Sequence, residues 1–164
     1  MTTNSSPEET WPNPRYAWFV VIVLMALYIF SFVDRMIIAL LVAPIKAELN
    51  LSDTHIGLLQ GLAFAVFYTF VGVLLARLAD NWNRTKLIAI GVLLWGLATA
   101  LSGFAAGFAT LFLARIFVGV GEATLGPAAY SLISDYFPVE KRPRAMSVYT
   151  AGMYLGVGLA LIFG

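Results

Sequence analysis

From Tyr16 onward the chain repeats one pattern, a long apolar run followed by a short polar break, with no period-two alternation. At about 20 residues per crossing, the pattern predicts five membrane spans over residues 16–42, 56–76, 87–104, 109–137 and 145–164. An unclosed chain in lipid satisfies its backbone only as helix, so the expected fold is all-α and integral to the membrane. Residues 1–15 are polar and rich in Thr, Ser, Pro and Glu, which predicts a disordered tail. The first apolar run is too long for a signal-peptide core and no basic stretch precedes it, so it is expected to stay in the mature protein. The last run stops at Gly164 without a polar flank, from which an incomplete chain is expected.

Composition agrees with a lipid solvent. Hydrophobic residues make up 60% and charged residues 12% of the 164 positions, and the mean hydropathy is +0.86. The net charge of +1 provides no field that would recruit nucleic acid. There is no cysteine and one histidine, and the carboxylates do not cluster. Thiol chemistry, a metal site, a cofactor and enzymatic function are therefore not expected. Basic residues gather in two connections, Arg77, Arg84 and Lys86 in one and Lys141, Arg142 and Arg144 in the other. By the positive-inside rule those connections and the N-terminus are cytoplasmic, in a plasma or inner cell membrane.

Four charges interrupt the apolar runs: Asp34 and Arg35 in the first span, Arg115 and Glu122 in the fourth. Each costs roughly 2.5–3.5 kcal/mol at a helix centre, so it persists where a partner or a watery cavity receives it. The sixteen Leu, Ile, Val and Phe residues of span one can offset its charged pair. Arg115 and Glu122 lie seven residues apart, almost two turns, and share a helix face, with Glu122 roughly 10 Å deeper. An isolated acid at mid-membrane favours its neutral form unless a cation is near, which suits a proton carrier. A plainer reading pairs Asp34 with Arg115, or Arg35 with Glu122, in a permanent bridge that fixes helix register.

Small residues recur every four positions at Gly57, Gly61 and Ala65 in span two, and at Gly152, Gly156, Ala160 and Gly164 in span five. Both stripes predict faces where another helix packs closely. Gly126-Pro127 predicts a kink in span four. Leu51-Ser52-Asp53-Thr54 before His55 predicts a helix N-cap at the membrane surface, and Trp18 and Trp82 read as interface anchors.

Two stretches resemble a known family. Ala76-Arg77-Leu78-Ala79-Asp80-Asn81-Trp82-Asn83-Arg84-Thr85-Lys86 is similar to the cytoplasmic loop signature of the major facilitator superfamily, with Asp80 and Arg84 at its charged core. It departs from that pattern at Ala76, Asn81, Asn83 and Thr85. Arg115-Ile116-Phe117-Val118-Gly119-Val120-Gly121-Glu122-Ala123 resembles the fourth-helix motif. Within the superfamily, Phe32-Val33-Asp34-Arg35, Ala43-Pro44-Ile45-Lys46-Ala47-Glu48-Leu49 and Pro127 through Pro138 resemble spinster-type transporters. The resemblance implies twelve helices in two bundles of six, with most of the first bundle in this chain and a missing C-terminal bundle as its partner. It implies alternating access, Asp34 and Glu122 as proton-coupling sites, Arg35 and Arg115 as charge partners or substrate contacts, and Asp80 and Arg84 as a cytoplasmic gate.

The function expected is secondary transport, proton-coupled, of an anionic or amphipathic small molecule such as a lysolipid or organic anion. The alternative is a non-transporting membrane binding or sensor protein, or a fragment without activity of its own.

Overall fold

The computed structural model describes residues 13–164, apart from the side chain of Asp80. The tail expected over residues 1–15 lies, as far as residue 12, outside the described residues. Helix α1 (Pro14–Leu40) already begins at Pro14, earlier than the apolar run suggests. The Asn13 side chain accepts a hydrogen bond from the Tyr16 amide at 3.1 Å, and Pro14 presets the first helical φ. After a turn at Leu41 come α2 (Val42–Glu48) and α3 (Asp53–Gly57). A π-turn over Leu58–Leu62 runs into α4 (Ala63–Asn81). Then follow α5 (Arg84–Ser102), α6 (Phe108–Glu122), α7 (Leu125–Tyr136), a 3-10 turn at Val139–Lys141 and α8 (Arg142–Phe163).

Among the described residues, five helical stretches are long and apolar enough to cross a bilayer: Pro14–Leu40, Asp53–Ala79, Arg84–Ser102, Phe108–Tyr136 and Val139–Phe163. Their apolar outer surface, with Phe19, Phe30, Phe70, Leu93 and Leu97 exposed, is stable against lipid and not against water.

Hydropathy locates the apolar part of each helix rather than its end. The connection expected over residues 77–86 shrinks to Trp82 and Asn83, because Asn83 caps α5 by accepting from the Lys86 amide at 2.9 Å. At the opposite end, Ser52 accepts from the His55 amide, and the Ser52 amide donates to His55 Nδ1, each at 3.3 Å. This capping box starts the second span at Asp53 rather than at residue 56.

Two proline effects shape the spans. Pro127 has no amide hydrogen for the Ala123 carbonyl and crowds it, so span four breaks at Ala123–Thr124, N-terminal to the expected kink at Gly126-Pro127. The Thr124 hydroxyl donates to the Gly121 carbonyl at 2.8 Å and closes the turn. Pro44 relates in the same way to Leu40, where α1 ends.

The bundle packs α1 on α8, α4 on α6, and α5 on α6 and α7. The α1–α8 contact uses the predicted small face: a Cβ on Gly152 would lie 2.8 Å from the Met25 carbonyl oxygen, and one on Gly156 2.6 Å from that of Ile29. Between α5 and α6, a Cβ on Gly121 would lie 2.7 Å from the Gly91 carbonyl oxygen. The stripe in span two meets no neighbouring helix among the described residues. Gly57 and Gly61 have no atom within 4 Å of where a Cβ would stand, and Ala65 is exposed. Leu59 and Ala63 are the buried positions there instead. A small-residue repeat records that a backbone can approach, and here the groove opens away from the described bundle.

Candidate functional site

Ser31 and Arg35 are one turn apart on α1 and share a face, while Asp34 is offset by about 100°. The two charges, adjacent in sequence, therefore meet different neighbours. Arg35 turns to α6, where its Nε and Nη2 donate to Glu122 Oε2 at 2.7 and 2.6 Å. The Ser31 hydroxyl donates to the same oxygen at 2.7 Å. The other carboxylate oxygen, Oε1, is buried and has no hydrogen-bond partner among the described residues. The Glu122 side chain is 0% exposed and that of Arg35 21%. The Arg35 guanidinium lies 4.9, 4.6 and 5.0 Å from the ring centroids of Phe32, Phe64 and Tyr68. Such cation–π contacts hold a partly desolvated guanidinium.

Asp34 meets α5 and α6. Its Oδ2 accepts from Arg115 Nη1 at 3.0 Å and its Oδ1 from the Thr99 hydroxyl at 3.1 Å. The Arg115 side chain is 5% exposed and its Nε has no partner, whereas Asp34 is 12% exposed. The ring of Phe64 lies 5.7 Å from Arg115, so one aromatic side chain touches both guanidinium groups.

α4 is held close enough for this because Gly119 lies under Phe64, where a Cβ would stand 3.1 Å from the Phe64 carbonyl oxygen. Gly121 lets α5 approach on the other side. The glycines flanking Glu122 thus let α6 sit between α4 and α5, with its charged face turned to α1.

The sequence profile described as Major Facilitator Superfamily matches residues 24–164. This chain belongs to that superfamily. An MFS-type efflux pump of Mycolicibacterium smegmatis is 35% identical over 93% of this chain and 35% of its own length. Protein spinster homolog 1 of Xenopus tropicalis is 33% identical over 92% of the chain and 29% of its own length. The chloroplastic ascorbate transporter of Arabidopsis thaliana is 30% identical over 98% and 29%. Among solved structures, a bacterial homolog to the human lysosomal transporter spinster, inward-facing and unoccupied, superposes with a TM-score of 0.87 at 37% identity. It covers 90% of this chain, which spans 31% of that one. The major facilitator chain thus spans about a third of the length of these relatives.

Asp34, Arg35, Arg115 and Glu122 all converge on one region, in two ion pairs joining α1 to α6. Gly152 and Gly156 lie on the α1–α8 contact, where a Cβ on Gly156 would also stand 2.8 Å from the Cβ of Phe32, whose ring lies against Arg35; a Cβ on Gly57 or Gly61 would meet nothing within 4 Å among the described residues. At the far end of the bundle, Arg84 forms an ion pair with Asp135 and donates from Nε to the Ala79 carbonyl at 3.1 Å. The Asp80 side chain lies outside the described residues. Sequence reasoning missed Ser31, Thr99, Asp135 and the aromatic wall of Phe32, Phe64 and Tyr68. Ser31 carried a usable signal, a hydroxyl one turn before a membrane-embedded arginine. Phe32 lies one turn before Arg35 on the same helix, whereas Thr99, Phe64 and Tyr68 come from distant segments and carried no signal.

Proposed function

We propose that this chain is part of a proton-coupled secondary transporter that works by alternating access against a second bundle. The substrate is an anionic or amphipathic small molecule, such as an organic anion or a lysolipid. The observation that carries this reading is Glu122, a fully buried acid with three donors on one oxygen and none on the other. A proton arriving at Oε1 neutralises the acid without displacing Ser31 or Arg35 from Oε2. It removes the charge that holds Arg35, and the guanidinium, already partly exposed among aromatic rings, becomes available to a carboxylate or phosphate. Protonation of Glu122 thereby favours substrate at Arg35, which links their movements. The relatives include an ascorbate transporter and a probable anion transporter of rice plastids, in keeping with an anionic solute.

Asp34 serves as a second proton site, with Arg115 as its charge partner. Arg84 and Asp80 act at the cytoplasmic gate, where Arg84 tethers the end of α7 through Asp135. The N-terminus is cytoplasmic and the protein resides in the cell membrane, as the basic connections indicate.

The test is Glu122→Gln in the full-length protein reconstituted in liposomes. The variant keeps the volume of the side chain and is expected to lose dependence of uptake on a pH gradient. Uptake that follows the gradient as in wild type would remove Glu122 from the mechanism.

A further inference from the structure

Glu122 is sealed, but Asp34 borders open space. It lines a cavity of about 290 Å³ within this single bundle, walled by α1, α2, α5 and α6. Arg115, Thr99, Ser102 and Glu48 share that wall. Glu48 is exposed and adjoins the 49–50 turn, and Gly103 and Ala105 bring the 103–106 turn to the same end. A single water needs about 10–15 Å³ of such volume and two to four polar partners, so the cavity holds several.

The hydroxyls along it are oriented for relay. Thr99 and Ser102 lie three residues apart on one face of α5. Ser102 donates to the Ala98 carbonyl at 2.9 Å and Thr99 donates to Asp34 at 3.1 Å. With its proton directed to the carboxylate, the Thr99 oxygen is left to accept a hydrogen bond from water in the cavity. The charged groups around Asp34 are Arg35 beside it on α1, Arg115 and Glu122 from α6, and Glu48 from α2 at the mouth. α5 contributes only hydroxyls.

We infer that this cavity is a water-filled vestibule through which Asp34 exchanges protons with the medium at the Glu48 end, independently of the face that bears Arg35. In the transfer a hydronium gives its proton to Thr99 Oγ as Thr99 gives its own to Asp34 Oδ1. One O–H bond forms and one breaks on Thr99, the carboxylate becomes neutral, and a water remains in the cavity. Glu48 draws cations to the entrance. The inference rests on the proton-linked reading for its functional meaning, whereas the wet cavity is testable without it.

The experiment uses the full-length protein in liposomes, in a background otherwise free of cysteine. Ile38→Cys probes the cavity wall one turn beyond Asp34, Ser102→Cys probes the wall on α5, and Ala106→Cys marks the side of the membrane. A cationic, membrane-impermeant methanethiosulfonate is added to one side at a time. Ile38→Cys and Ser102→Cys are expected to react at least tenfold faster from the side that labels Ala106→Cys. Leu41→Cys, on the same wall, serves if Ile38→Cys fails to elute as a single species. An unreactive cavity position beside a reactive Ala106→Cys, or faster reaction from the opposite side, overturns the vestibule. Thr99→Val is expected to leave the labelling intact and slow gradient-driven uptake several-fold, and unchanged uptake removes Thr99 as relay. Labelling of Ile38→Cys and Ser102→Cys as expected, together with wild-type uptake that ignores pH, would instead sink the proton-linked reading and Asp34's exchange, while the wet cavity stands.

Discussion

The Arg35–Glu122 and Asp34–Arg115 pairs bridge the same two helices with acid and base exchanged between them. In the first, α6 supplies the acid and α1 the base; in the second, the roles reverse. The first places three donors on one oxygen of a sealed acid and exposes its base among aromatic rings. The second divides two donors between two oxygens and sets both partners beside a cavity, with the base the more deeply buried of the two. Burial alone therefore does not rank buried ion pairs. What counts is which partner has an alternative to the other: Arg35 has aromatic rings and partial exposure, the Asp34–Arg115 pair has its cavity, and Glu122 has neither.

Removing the base from each pair tests that ranking most strongly. Arg35→Met leaves Glu122 buried with only Ser31 and is expected to destabilise the full-length protein by about 3–5 kcal/mol, the usual cost of an orphaned buried charge. Arg115→Met leaves Asp34 with Thr99 and cavity water and is expected to cost about 1–3 kcal/mol. Thermal unfolding in detergent measures both, and equal losses would erase the distinction between the pairs.

The next effect is a coupling. Asp34→Asn combined with Arg115→Gln is expected to recover about 1–3 kcal/mol relative to the sum of the single variants, because neither charge is left alone. Additive losses in the same unfolding assay would mean that the two residues do not act as a pair.

Single hydroxyls sharpen the contrast further. Ser31→Ala takes a charge-assisted hydrogen bond from a sealed acid and is expected to cost about 1.5–3 kcal/mol, against about 0.5–1.5 kcal/mol for Thr99→Val, where water can substitute. The reverse order would place water at Glu122 rather than at Asp34. The smallest effect is reserved for the partly exposed Arg84–Asp135 pair. Asp135→Asn is expected to shift stability by less than about 1 kcal/mol, as for other solvent-exposed bridges. A larger loss, read in the same scan, would make that pair a structural clamp.

Much of the fold was legible because lipid is a simple solvent. Apolar length gives the number of spans, and Pro127 announces a break, although the break falls three to four residues earlier, where the ring meets the preceding turn. The ends were less legible to hydropathy: Asn83 and Asn13 extend helices beyond the hydrocarbon, where it has no signal, whereas the cap at Ser52 was readable from Leu51-Ser52-Asp53-Thr54. Of the two small-residue stripes, only Gly152–Gly156 found its helix in this bundle. The stripes look alike in sequence because the sequence encodes how closely a neighbour can come and not which neighbour does.

By itself the sequence determined that this is a helical membrane bundle and that four embedded charges demand partners, since neither burial cost nor helical period depends on tertiary detail. The seven-residue spacing also placed Arg115 and Glu122 on one face of α6. Only the tertiary structure decided the pairing, Arg35 with Glu122 and Asp34 with Arg115, because the 100° step between adjacent residues on α1 has meaning only once α5 and α6 occupy fixed directions around it. The same packing brought Thr99, Phe64 and Tyr68 to the charges and left a cavity beside one acid and none of its room to the other. Those contacts join segments tens of residues apart, and no local pattern records the distance between them.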